Sequence, residues 1–276
     1  MSEMLPGPML PGPETWEEVA DWPEDLVQRL RCHSSKITTL MDILQFGSLH
    51  TTDYSGFDCP REMMFHVQKV LQLLYDCDGK TGDILHRFVR SCDTGALQRQ
   101  VLLWIANRID AGGTCVLADI EGCFDDWVIT QLDSMIPYQE KSKLTDAEKQ
   151  EVTAAYADMW AWLLKNRNDV LPDPLLSKCL THDEFCPLYA RHEACDNSKA
   201  LRLHWAGTTC TGWSSVGLQQ GLAHQSERTH NCWLLQRIVL AERNLEDGFF
   251  QVRCLFTLVL CLVHHMVKIS VVFAFI

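Results

Sequence analysis

The chain is poor in positive charge. Its 24 lysines and arginines are outnumbered by 36 aspartates and glutamates. The net charge of -12 repels a phosphate backbone, so any role on nucleic acid requires a local basic surface. Also lacking are a Cys-x-x-Cys pair and a secretory signal at the N-terminus. Together with an odd total of 13 cysteines, this argues against a disulfide framework and for reduced thiols in a nuclear or cytoplasmic compartment. Most of these cysteines read as small buried apolar residues. The first segment lacks helix or strand formers: Met4 to Pro8 and Met9 to Pro13 repeat Met-Leu-Pro-Gly-Pro, so residues 1–15 are expected to be a disordered leader.

What is present is a core. At 276 residues and 47% hydrophobic, the chain holds one sizeable domain, expected over residues 16–251. Helical spacing covers Trp16 to Phe46, then Ser48 to Tyr54 reads as a strand ending in Ser55-Gly56. Met63, Val67, Val70, Leu71 and Leu74 fall on one face of a helix over Glu62 to Tyr75. A second strand, Ile84 to Cys92, leads into Asp93 and a helix from Gly95 to Ile109 with Leu97, Val101, Ile105 and Ile109 inward. A third, Thr114 to Ala118, ends at Asp119, and a fourth is Ala200 to Ala206. A helix over Glu227 to Asn244 turns Trp233, Leu234, Ile238 and Ala241 toward the sheet. Strand, acidic or glycine turn, helix, repeated, predicts an α/β fold: a Rossmann-like parallel sheet with crossover helices.

Between the third and fourth strands lies a helical insertion, about 140–180. Thr145-Asp146-Ala147-Glu148 is a capping box that starts a helix running to about Asn166, and Pro172 and Pro174 close it. Its Trp160 and Trp162 read as packing residues rather than a base-stacking platform.

After the fourth strand comes Ala206-Gly-Thr-Thr-Cys-Thr-Gly-Trp-Ser-Ser-Val-Gly217. Gly207, Cys210, Trp213, Ser214 and Gly217 resemble, in register, the catalytic loop Gly-Pro-Pro-Cys-Gln-x-Phe/Trp-Ser-x-x-Gly of the cytosine carbon-5 DNA methyltransferases. Thr208 and Thr209 stand where that family has prolines, and Thr211 where it has glutamine. The resemblance implies a cysteine nucleophile, Cys210, and S-adenosylmethionine as methyl donor. It also implies a cofactor site at the earlier strand ends. Asp53, Tyr54, Ser55 and Gly56 are similar to the family's Asp-x-Phe-Ser-Gly, Ser91-Cys92-Asp93 to its Glu-x-Asp with Asp93 as acceptor, and Ala118-Asp119-Ile120 to its Gly-Asp-Ile. Arg228 fits a further family position. The plainer alternative is that Asp53, Asp93 and Asp119 cap the helices next in the chain. DNA is the implied partner, with RNA as an alternative, and the nucleus the implied compartment.

The resemblance spans about Thr51 to Asn244. Beyond it, where the family carries a strand with Glu-Asn-Val, the chain has Phe249-Phe250-Gln251-Val252-Arg253-Cys254, and Glu246 lies before that strand. The chain is therefore expected to carry an incomplete C-terminal half, and a non-catalytic cofactor-binding or interaction module stands as an alternative to the enzyme. Residues 252–276 form a hydrophobic tail, read either as a membrane anchor or as sequence beyond the true reading frame. His264, His265 and Lys268 inside it oppose insertion, a central lysine alone costing about 2.5–3.5 kcal/mol. Finally, Cys179, His182, Cys186, His192 and Cys195 give Cys-x2-His-x3-Cys-x5-His-x2-Cys, soft and borderline ligands dense enough for zinc. Their spacing matches no assignable finger, and sequence alone assigns no metal site.

Overall fold

The computed structural model of the chain describes residues 46–54, 56, 61, 68–69, 72, 86–108, 113–138, 143–191, 198–207, 221–252, 257–264 and 267–274. Two compact units are present, one of residues 1–45 with 62–84 and one of 46–61 with 85–276. In the first, the described residues 68, 69 and 72 are helical, within the predicted helix Glu62 to Tyr75. The leader, the helix expected from Trp16, Ser55, the Cys210 loop, His192 and Cys195 lie outside the described residues.

The second unit is built on a sheet of seven strands. β1 (Ser48–Asp53), β2 (His86–Cys92), β3 (Cys115–Leu117), β6 (Leu201–Ala206) and β7 (Gly248–Val252) pair in parallel in the order β3-β2-β1-β6-β7. This is the α/β parallel sheet that the strand-turn-helix pattern predicts. α1 (Ala96–Arg108) follows β2, and α5 (Ser226–Glu242) connects β6 to β7. The insertion between β3 and β6 supplies a 3-10 turn (Glu121–Cys123), α2 (Asp126–Met135), α3 (Asp146–Lys165), the short α4 (Arg167–Val170), and the antiparallel hairpin of β4 (Leu176–Lys178) and β5 (Phe185–Pro187).

Every residue of β1 is buried, yet four of its six side chains carry hydroxyl or imidazole groups. A strand covered on both faces normally reads as an apolar run, so these groups must be satisfied internally. On one face the Trp205 indole donates to His50 Nδ1 at 2.7 Å. The His50 proton therefore sits on Nε2 and donates to Ser48 Oγ at 2.6 Å, and the Ser48 hydroxyl donates on to His86 Nδ1. Burial first, then the neighbouring His86 and Arg61, depresses the His50 pKa to about 3. The imidazole is a neutral structural link. On the other face the register sets Thr51 beside Arg90 and His204. There the Trp233 indole donates to His204 Nε2 at 3.1 Å, and His204 Nδ1 donates to Thr51 Oγ1 at 2.8 Å.

The capping box forms as predicted: Thr145 Oγ1 accepts from the Glu148 N–H, and the Thr145 N–H donates to Glu148 Oε2 at 2.9 Å. α3 then buries Val152, Tyr156, Met159 and Leu163 on one stripe and ends at Asn166. Trp160 and Trp162 pack against the core, Trp162 edge-on to Trp127 with centroids 6.2 Å apart. Two helix phases differ from the periodicity. α1 buries Leu102, Ile105 and Ala106 and leaves Leu97 59% exposed, because Val116 on the sheet meets the later stripe. α5 buries Cys232, Trp233, Leu235, Gln236, Arg237, Val239 and Leu240, while Leu234, Ile238 and Ala241 are only half-buried. Trp233 faces the sheet through His204, and Asn231 reaches the Tyr156 carbonyl of α3. A helix covered on two sides has no single apolar stripe for periodicity to detect.

The hydrophobic tail forms β8 (Thr257–His264) and β9 (Val267–Ala274), an antiparallel hairpin added to β7. Among the described residues no helix is long and apolar enough to cross a membrane.

Candidate functional site

Because the five strands are parallel, Asp53, Cys92, Leu117 and Ala206 end at one edge of the sheet. Chain order reverses across β1, which has β2 on one side and β6 on the other, and ligands of open α/β sheets bind in the crevice at such a reversal. Tyr54 and Gly56 both have positive φ, 53° and 57°, so the chain turns sharply out of β1. At Gly56 this conformation favours glycine. Asp93 holds that turn: Oδ2 accepts from the Gly56 N–H and Oδ1 from the Gly95 N–H, both at 2.8 Å. The Gly207 N–H donates to the Asp53 carbonyl at 3.3 Å, and a Cβ on Gly207 would stand 3.3 Å from the Tyr54 carbonyl oxygen. Gly207, the residue after β6, thus lies against the turn carrying Tyr54 and Gly56. Asp119 is exposed beyond β3, and its Oδ1 accepts from the Glu121 N–H at 2.9 Å as a cap of the 3-10 turn. Tyr54 packs against the core, and burial pushes its phenol well up.

The Asp53 side chain does not face this edge. Its carboxylate is buried under the sheet, where Arg90 Nη1 donates to Oδ1 at 2.7 Å and Arg237 Nη2 lies 3.8 Å from Oδ2. Arg237 Nη1 in turn donates to Glu246 Oε2 at 2.5 Å. Two guanidiniums and two carboxyl groups therefore meet between β1, β2, α5 and the approach to β7, with Asp53 Oδ2, Arg90 Nε and Nη2, Arg237 Nε and Nη2 and Glu246 Oε1 buried without hydrogen bonds. Asp53 Oδ2 also comes within 3.3 Å of His204 Nε2. That nitrogen already accepts from Trp233, and burial with the Arg237 and Arg90 charges keeps His204 neutral, so the approach is not an ion pair. Glu246 is bonded here through Oε2 alone, its Oε1 being buried without a hydrogen-bond partner among the described residues, and burial raises its carboxyl to about 7. Arg228 is likewise committed: it donates to Asp133 and, at 2.6 Å, to Glu121 Oε2, while the Thr229 hydroxyl donates to Glu121 Oε1. It clamps the turn after β3 onto α5.

A second constellation lies at the far margin of the sheet. The β4–β5 hairpin is hydrogen-bonded to β3 through Leu180 N–H to the Val116 carbonyl, 2.7 Å, and Val116 N–H to Thr181 Oγ1, 3.2 Å. This docking brings Cys115 to Cys179, His182 and Cys186, whose three sulfurs and imidazole nitrogen all lie within 4.8 Å of one another. His182 Nδ1 is 3.5 Å from Cys115 Sγ, 3.4 Å from Cys179 Sγ and 3.4 Å from Cys186 Sγ. The hydrogen bond from Cys115 holds the Cys179 thiol below its ordinary range, with backbone N–H groups of His182, Thr181 and Val116 assisting against burial. Cys115 is pushed far up by that same bond and by burial, and burial also raises Cys186.

Sequence spacing found three of these four ligands in its Cys/His series and missed Cys115. A cysteine opening a short edge strand 64 residues before Cys179 carries no spacing signal. Compared with known family models, with curated proteins and with solved structures, the chain matches none.

Proposed function

We propose that the chain is a cytosine carbon-5 methyltransferase-like protein of the nucleus, with Cys210 as nucleophile and an S-adenosylmethionine site at the parallel strand ends. The observation that supports this best is the hydrogen bond from Gly207 to Asp53 at the β1/β6 reversal, which starts the Cys210 loop beside the Tyr54–Gly56 turn. The residues there suit a nucleotide in part. Gly56 keeps a side chain out of the crevice, Asp93 fixes the turn with two of its carboxylate lone pairs, and Asp119 offers an exposed carboxylate. The Asp53 carboxylate, buried against Arg90, is left out of the proposed site.

When bound, the cofactor supplies an electrophilic methyl group on a sulfonium. Cys210 would add its thiolate to carbon 6 of cytosine, making carbon 5 nucleophilic towards that methyl group; once carbon 5 carries it, loss of the carbon-5 proton to solvent water would restore the ring double bond and expel the thiolate. A duplex substrate has to present the base out of the stack.

Calorimetric titration of the full chain with S-adenosylmethionine tests the cofactor, and trapping on 5-fluorocytosine DNA tests the nucleophile. Saturable binding and a covalent adduct absent in Cys210→Ala are expected, and the same trap on RNA separates the two substrates. Binding without an adduct would mark a non-catalytic module, and no binding would remove the methyl-transfer reading.

A further inference from the structure

We propose that Cys115, Cys179, His182 and Cys186 bind one structural zinc ion that fastens the β4–β5 hairpin of the insertion to the edge strand β3. The inference is independent of the methyl-transfer reading.

Three features carry it. The first is ligand type and number: three thiols and one imidazole are a complete tetrahedral zinc set, with no position left for water or substrate. The second is geometry. Zinc bonds of about 2.3 Å to sulfur and about 2.0–2.1 Å to nitrogen in a tetrahedron set sulfur-to-nitrogen separations of about 3.5 Å. The three separations here are 3.5, 3.4 and 3.4 Å. Third, one imidazole nitrogen has a single proton or a single lone pair. It cannot make three hydrogen bonds, whereas a cation at the centre of the four atoms satisfies all of them together. The pairing of the hairpin to β3, with Leu117 bridging Cys179, positions the ligands from separate parts of the chain.

A zinc here would act on β3 and on the turn after it. β3 is only three residues long and forms the margin of the sheet, and that turn carries Asp119 and the Glu121 that Arg228 clamps. Three bonds from the hairpin and one from Cys115 of β3 itself cover the margin and fix it in place. His192 and Cys195 are not needed, since the set is complete without them.

The test is metal analysis of the full chain purified under reducing conditions. About one equivalent of zinc is expected. His192→Ala and Cys195→Ser are expected to retain it, while Cys115→Ser and Cys179→Ser lose most of it. A folding failure of those variants is bypassed on the unaltered chain by exchanging zinc for cobalt(II), which must give the intense visible bands of a tetrahedral thiolate site. Cysteine alkylation with peptide mapping must then find Cys115, Cys179 and Cys186 protected until a chelator is added. Absence of metal, octahedral cobalt spectra, full zinc in Cys115→Ser, or a Cys115–Cys179 disulfide in the non-reduced intact mass would each overturn the proposal.

Discussion

Two clusters of polar groups flank the same parallel sheet and solve burial in opposite ways. Under β1, Arg90 and Arg237 face Asp53 and Glu246, so groups of opposite sign meet within the protein. At the β3 margin, Cys115, Cys179, His182 and Cys186 bring together only donors of electron pairs, with no cationic side chain among the four. The first cluster is closed by the chain's own charges, and the second calls for a cation from outside. Buried pairs that neutralise one another are weak evidence for added stability but are costly to break on one side. A soft ligand set contributes stability only through the ion it holds, and for structural zinc in small domains that amounts to about 10 kcal/mol or more of apparent binding.

Chelation is therefore expected to have the largest effect and to confine it to one region. Hydrogen exchange before and after chelator treatment should gain amide exchange across residues 176–187 and in β3, with β1 and α5 unchanged. Equal loosening of both regions would break the distinction drawn between them.

Next in size is Asp53→Ala, which leaves Arg90 without its carboxylate in a buried setting. A loss of about 3–5 kcal/mol is expected in denaturant unfolding. Asp53→Leu combined with Arg90→Leu should lose clearly less than the two single changes added together, since the double change removes the unpaired charge as well as the pair. Simple additivity would mean that the ion pair holds nothing.

The smallest effect is a slope against pH. His50, with a folded pKa of about 3, binds fewer protons in the folded than in the unfolded chain, so its contribution is complete above the ordinary value of 6.5 and is lost as pH falls toward 3. His86, lowered to about 4 by burial, acts with the same sign. Glu246, raised to about 7, has the opposite sign: its folded form holds the proton more tightly, so stability declines as pH rises from its ordinary 4.5 to about 7. The two histidines outweigh one glutamate between about pH 4.5 and 6.5, so stability should fall on acidification there. His50→Gln keeps an acceptor for Trp205 and removes the titration. Its stability-against-pH slope in that window should flatten by at most about 1.4 kcal/mol per unit. An unchanged slope would assign the acid sensitivity to the other buried histidines, His86 and His204, which burial also lowers.

Local chemistry was legible in the residues themselves. The Thr145 box, the strands ending at Asp53, Cys92 and near Asp119, and the packing role of Trp162 all follow from interactions a few residues apart or from one exposed face. Hydrophobic phase failed where an element is covered from two sides, as in α5, because both faces then look alike. It also missed the strands of the tail, whose continuous apolar run reads as a membrane anchor or as sequence beyond the true reading frame, since such a run fits strand or span alike.

The sequence by itself determined an α/β chain with a capped helical insertion. Only the tertiary structure decided that Asp53 turns inward to Arg90 instead of toward the strand-end crevice, and that Cys115 joins Cys179, His182 and Cys186. The physical reason is the same in both cases. Which face a strand residue presents, and which distant side chain it meets, depends on strand register and on the docking of a hairpin from far along the chain, and neither is encoded in local spacing.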